Sequence, residues 1–160
     1  PEGAPTSWTD SATNTFATTV NSYAFSAINC YFSAPSDYLL DGTLNINAKK
    51  ASANAMIANV TAIPGKIKNL SFVMPTGKDA SSVSANAPFV VEFGSAAISA
   101  VTTKTNESGK KGGSGQTVSF DCSVENATYF SINVVQGVNS NGKASWYNGM
   151  VKAVTVTYIA

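Results

Sequence analysis

The sequence predicts an all-β domain, a two-sheet antiparallel β-sandwich of jelly-roll type with about nine strands. Three observations carry this. Apolar and polar residues alternate with period two in short runs. Turn-forming residues separate those runs. No apolar stripe of helical period competes with them.

In chain order, residues 1–20 are rich in Ser and Thr with isolated Trp8 and Phe16, and read as an edge strand or a strap. The strand runs are Ser22–Phe32, Thr43–Ala48, Ala55–Thr61, Lys68–Met74, Pro88–Phe93, Ala97–Lys104, Gln116–Val124, Tyr129–Val135 and Met150–Ile159. Leu70, Phe72 and Met74 alternate with Ser71 and Val73, and Val118, Phe120, Cys122 and Val124 with Ser119, Asp121 and Ser123. Such one-faced sets belong between two sheets. The last run carries β-branched residues on both faces, the pattern of a central strand covered on both sides. Turn signals stand at Asp41-Gly42, Pro64-Gly65, Pro75-Thr76-Gly77, Asn141-Gly142 and Asn148-Gly149, where Gly or Asn supplies positive φ. The Gly-rich stretch 106–116 reads as a hairpin tip, and of the triplets at Asn59, Asn69, Asn106 and Asn126 the one at Asn106 is best placed for a glycan. The 160 residues suffice for a single domain, 1–160, with one core.

Composition narrows function by exclusion. Only 12% of residues are charged and the net charge is +1, with all ten basic residues being Lys. Without Arg, bidentate reading of phosphate or guanine is lost, and the Lys residues form no cluster beyond the pairs Lys49-Lys50 and Lys110-Lys111. Nucleic acid is therefore not the expected partner. No apolar run approaches a bilayer span, so no membrane insertion is expected. A start at Pro1 rather than Met reads as a mature or excised fragment of a larger, multidomain, exported protein. The sequence has no His, which removes Ser-His-Asp, Cys-His and His-metal sites together. The Gly-rich stretch lacks phosphate-loop spacing. A two-carboxylate glycosidase is the one enzyme the inventory leaves, and the nine acids are not paired by sequence, so the expectation is a non-catalytic protein.

The candidates for binding are few. Trp146 and Tyr147, in a stretch flanked by Asn141 and Asn148, offer aromatic faces on which sugar C–H groups stack, with Asn148, Asp37 and Tyr38 as further ligand-binding residues; the other reading has Trp146 capping the core. Glu92 opposes Phe89, Val91 and Phe93 and is expected in solvent, unless its face is concave, where it would accept sugar hydroxyls. Asp37 and Asp41 in an oxygen-rich loop admit a structural calcium, although an ordinary turn is the expectation and no cofactor is required. Cys30 and Cys122 lie in strand-like runs; export favours one disulfide between them, against two buried thiols.

The stretches Ile67-Lys68-Asn69-Leu70-Ser71-Phe72, Phe89-Val90-Val91-Glu92-Phe93-Gly94, Tyr129-Phe130-Ser131-Ile132-Asn133-Val134 and Met150 to Tyr158 resemble secreted bacterial jelly-roll accessory domains. These include carbohydrate-binding modules and adhesive domains attached to exported glycoside hydrolases and surface proteins. The resemblance implies a non-catalytic, secreted or cell-surface module that binds polysaccharide on a sheet face or at a loop end. The alternative is a structural or adhesive sandwich of a surface, pilus or virion assembly that makes protein contacts.

Overall fold

β-branched and aromatic residues at alternate positions suit a pleated, half-buried surface, and most of the expected runs are strands in the computed structural model. It describes residues 3–10, 12–33, 43–48, 55–75, 89–101, 115–135, 137–138, 144–145 and 147–160. In chain order the strands are β1 (Phe16–Val20), β2 (Tyr23–Ile28), β3 (Cys30–Ser33), β4 (Thr43–Ala48), β5 (Ala55–Asn59), β6 (Lys66–Val73), β7 (Phe89–Gly94), β8 (Thr117–Asp121), β9 (Tyr129–Val134), β10 (Gly137–Val138), β11 (Ala144–Ser145), β12 (Tyr147–Val151) and β13 (Ala153–Ile159).

One layer is a five-stranded sheet ordered β1-β2-β5-β9-β7. The facing layer consists of two three-stranded sheets, β12-β4-β3 and β13-β6-β8. All their pairings are antiparallel. Ile46, Ile67, Leu70, Phe72, Met74, Phe89, Ile132 and Val134 are fully buried between the layers. Burying each of these large side chains stabilises the fold by about 1.5–3 kcal/mol. Phe72 joins the layers, with its ring edge-on to Phe89 at 4.8 Å and stacked on Phe120 at 5.7 Å.

Two breaks divide runs that the sequence presents as continuous. Asn21 and Ser22, at φ 49° and 67°, form the tight turn between β1 and β2. Asn29, at φ 57°, then carries the chain from β2 in one layer to β3 in the other. At the far end, Lys152 separates β12 from β13, and its NH donates to the Val73 carbonyl. The ladder fixes which sides are used. The Met74 NH bonds Gln116, so alternation turns the NH groups of Val73 and Ser71 toward β13, where they face Ala153 and Thr155. The Cys30 and Phe32 NH groups bond Asn14 and Pro5, so β3 meets β4 through Tyr31 and Ser33, and β4 meets β12 through Leu44, opposite Val151. Val151 faces Leu44 of β4, whereas Lys152 and Ala153 both face Val73 of β6, so β4 flanks the first half of the run 147–159 on one side, and β6 flanks the second half on the other.

The expectation of a final strand covered on both faces therefore holds only for its first half, where Gly149, Met150 and Val151 are buried. β13 is an edge strand, and Val154, Tyr158 and Ile159 are 42%, 43% and 58% exposed. Residues 97–101 of the run expected from Ala97 to Lys104 form no strand. The partner has ended: Gly94 pairs with Tyr129, the first residue of β9, and the Gly94 carbonyl then accepts from Thr128. Asn148-Gly149 is strand rather than turn, paired with Asn47 and Ile46 of β4, and its glycine serves packing: a side chain at Gly149 would collide with Val134 and Phe89, whose atoms lie 2.5 and 2.6 Å from the Cβ position. Residues 16–20 take the edge-strand form, and the segment before them straps β3.

Buried amides satisfy polar groups within and beside the sheets. Asn59 Nδ2 donates to the Thr61 and Thr128 carbonyls while Oδ1 accepts the Phe130 NH. Asn14, fully buried, donates to the Ser7 and Cys30 carbonyls and accepts from the Thr9 NH. Asn133 donates to the Val90 carbonyl and the Ser131 hydroxyl.

Replacing Asn59 by Ala orphans the Phe130 NH inside the sandwich and should cost about 1–3 kcal/mol, whereas the same change at half-buried Asn69, whose partners Ser119 and Asp121 are exposed and can turn to water, should cost about 1 kcal/mol or less. Gly149→Val should cost about 1–3 kcal/mol or more through overpacking. Urea unfolding midpoints of the three variants check the order.

Candidate functional site

The alternation of β7 buries Phe89 and packs Val91 and Phe93 against the core, which leaves Val90 and Glu92 on the opposite face. Glu92 is half-buried rather than out in solvent, because it borders a concavity. The opposing wall comes from β8, whose Phe120 also packs against the core, and from the residues that follow it. β7 and β8 are edge strands of different sheets, and between them opens a cleft of about 560 Å³. Glu92, Asp121 and Ser123 supply its polar groups, and Phe93, Phe120 and Ile98 supply apolar surface. Asp121 Oδ1 is held by Asn69 Nδ2 at 2.8 Å, and the same amide donates to the Ser119 hydroxyl at 2.8 Å. The cleft thus offers fixed hydrogen-bond acceptors beside aromatic faces, and its volume lies in the range of ligand sites.

A second opening, about 690 Å³, lies at the other side of the sandwich. Its floor is apolar, formed by Phe25, Ile57, Phe130 and Ile132, with Phe25 edge-on to Phe130 at 6.4 Å. β13 forms one wall, and Thr18 to Asn21 at the end of β1 form part of the rim.

Of the binding residues expected from sequence, Trp146, Asp37 and Tyr38 lie outside the described residues, as does Asp41. Tyr147 and Asn148 belong to β12, where they pair with Ala48 and Asn47, so their backbone is part of the sandwich rather than of a loop. Sequence reasoning passed over Asp121 and Ser123 as a site with Glu92. The outward position of Asp121 was legible in the alternation of β8, but its approach to β7 comes from two sheets whose edges meet without being sequence neighbours.

The expected Cys30–Cys122 bridge is not formed, and both cysteines are free thiols. Each has its own environment. Cys30 is completely buried at the head of β3, with its thiol against the Ile28 and Met56 carbonyls at 3.4 and 3.3 Å. Cys122, half-buried just beyond β8 in another sheet, contacts the Val124 carbonyl at 3.7 Å. Burial pushes the Cys30 thiol well above the ordinary thiol range, with the two carbonyl contacts acting in the opposite sense.

Among the described residues no group of three or more His, Cys, Asp or Glu could hold a metal ion, and no helix is long and apolar enough to cross a membrane. Comparison with protein-family models, with curated proteins and with solved structures found no match.

A thiol reagent at neutral pH should modify Cys122 in the folded protein and reach Cys30 only on unfolding, since a buried, neutral thiol is a poor nucleophile. Mass spectrometry before and after denaturant counts one thiol, then two. A raised folded-state value also means that the unfolded chain loses this proton first, so stability should fall as pH rises above the ordinary thiol value of 9.0.

Proposed function

We propose that this protein is a non-catalytic carbohydrate-binding domain and that its ligand occupies the cleft between β7 and β8. The observation that carries the reading is the convergence of Glu92, Asp121 and Ser123 with Phe93 and Phe120 on one concavity. Carboxylates accept from sugar hydroxyls through charge-assisted hydrogen bonds. Aromatic faces receive the sugar's C–H surface. The absence of His from the sequence supports binding rather than general acid-base work. A secreted or cell-surface setting, within a larger multidomain protein, fits the low charge and the abundance of hydroxyl and amide side chains. The residues named from sequence, Trp146, Tyr147, Asn148, Asp37 and Tyr38, are a second candidate surface, and calcium is not needed at either.

Retention on a panel of insoluble polysaccharides tests the reading. Wild type should be retained on at least one, and Glu92→Gln or Asp121→Asn should each weaken binding about tenfold or more, the loss expected for a hydrogen bond to a charged group. Retention that survives both substitutions but is lost in Trp146→Ala would move the site to the β11–β12 region. Retention on none would sink the sugar reading.

A further inference from the structure

The apolar opening beside β13 lies away from the sugar-binding cleft and calls for a different occupant. We propose that it receives an extended strand of a partner polypeptide, which adds to the edge of β13 that no described strand pairs and lays alternate apolar side chains on the floor.

Three features specify that occupant. The first is the edge. β13 is bonded on one side by β6, with the NH groups of Ala153, Thr155 and Thr157 turned inward, so those of Val154 and Val156 point away from β6 along the groove. A row of backbone donors and acceptors at that spacing matches another strand and no other regular element. The second is volume. The opening, about 690 Å³, is four to five times the roughly 150 Å³ that an apolar cavity needs to hold a benzene-sized group. A strand as long as the seven residues of β13 presents every second side chain to one face, that is three or four. The third is where apolar surface stays uncovered. Of the six exposed large hydrophobic residues among those described, Val20, Val154 and Tyr158 border the opening and Ile159 follows directly. Among the described residues Lys152 is the only charged one on the lining, so the strand should be uncharged along its middle.

Monomeric proteins cover, charge or shorten such an edge; here it is seven residues long and uncharged from Ala153 to Ile159. Pairing of β13 with β13 of a second copy would satisfy the edge but leave exposed Val20 and half-buried Phe25, across the opening, uncovered, which is why a separate inserted strand is the better fit.

The probe is a fluorescent peptide of about nine residues alternating Val and Thr, long enough to span β13. Its control has the same composition with the valines contiguous. Fluorescence anisotropy with the whole chain should show saturable binding of the alternating peptide, tighter than the control by about tenfold or more. Val154→Pro removes a backbone donor on the unpaired side, where an edge strand tolerates proline, and should abolish the preference. Val154→Trp, which enlarges a side chain on the groove wall and keeps every backbone donor, should do the same, so the proposal does not rest on one variant's folding. Circular dichroism checks both variants. Absence of saturable binding, or equal binding by the folded variants, would overturn the proposal. So would a concentration-dependent dimer that excludes the peptide, because the edge would then belong to a second copy. Neither result would bear on polysaccharide retention at the β7–β8 cleft.

Discussion

The single-residue crossing at Asn29 is the constraint on which the rest of the architecture depends. β2 belongs to the five-stranded sheet and β3 to the facing layer, and only a left-handed residue lies between them. Asn tolerates that conformation better than any other side-chain-bearing residue except Asp. The crossing is clamped from outside, because the Cys30 NH donates to the Asn14 carbonyl while the Asn14 side-chain amide donates to the Cys30 carbonyl. Once β3 is placed, β4 pairs with it, and β12 pairs with β4. The chain then leaves β4 behind at Lys152 and takes β6 as its partner on the opposite side. The position beside β13 is left without a strand among the described residues, and Val20, Val154 and Tyr158 stay exposed around the opening there.

The same logic explains why so many amides are buried. Asn14, Asn45, Asn59 and Asn133 are all inaccessible. Asn14, Asn59 and Asn133 bond backbone groups, and Asn45 bonds the Ser33 and Thr43 hydroxyls, so polar groups inside the sandwich find partners whose absence would be costly. Composition suggests a hydroxyl- and amide-rich exterior, and part of that content is in fact internal scaffolding. Asn59 is the clearest case, since its side chain bonds three backbone groups around the start of β9.

What the sequence makes legible follows from what is local. Period-two alternation identifies Leu70, Phe72 and Met74 as core, and they are fully buried. Pro64-Gly65 lies between β5 and β6 as expected, but Gly65 does not take the positive φ expected of it; its missing side chain instead makes room for the Ile159 carbonyl. The breaks at Asn29 and Lys152 are not legible, because both are set by which strand lies alongside rather than by the residue itself. The end of β7 at Gly94 has the same origin, since it follows from where β9 begins. The cysteines show the limit of an argument from type: both do sit in or beside strands, but in different sheets with separate hydrogen-bond partners. The candidate site divides likewise. Glu92 was visible through its strand face, whereas its meeting with Asp121 and Ser123 depends on two sheet edges coming together.

Both openings are seams of one sandwich, a polar one between β7 and β8 and an apolar one along β13. Each rests on the strand arrangement, so the most direct measurement is amide hydrogen exchange along β13, resolved residue by residue by NMR. The account predicts an alternating pattern, with slow exchange at Ala153, Thr155 and Thr157, which face β6, and fast exchange at Val154 and Val156, which face the groove. Uniform protection along Ala153–Ile159 would contradict it, because the edge would then already be paired.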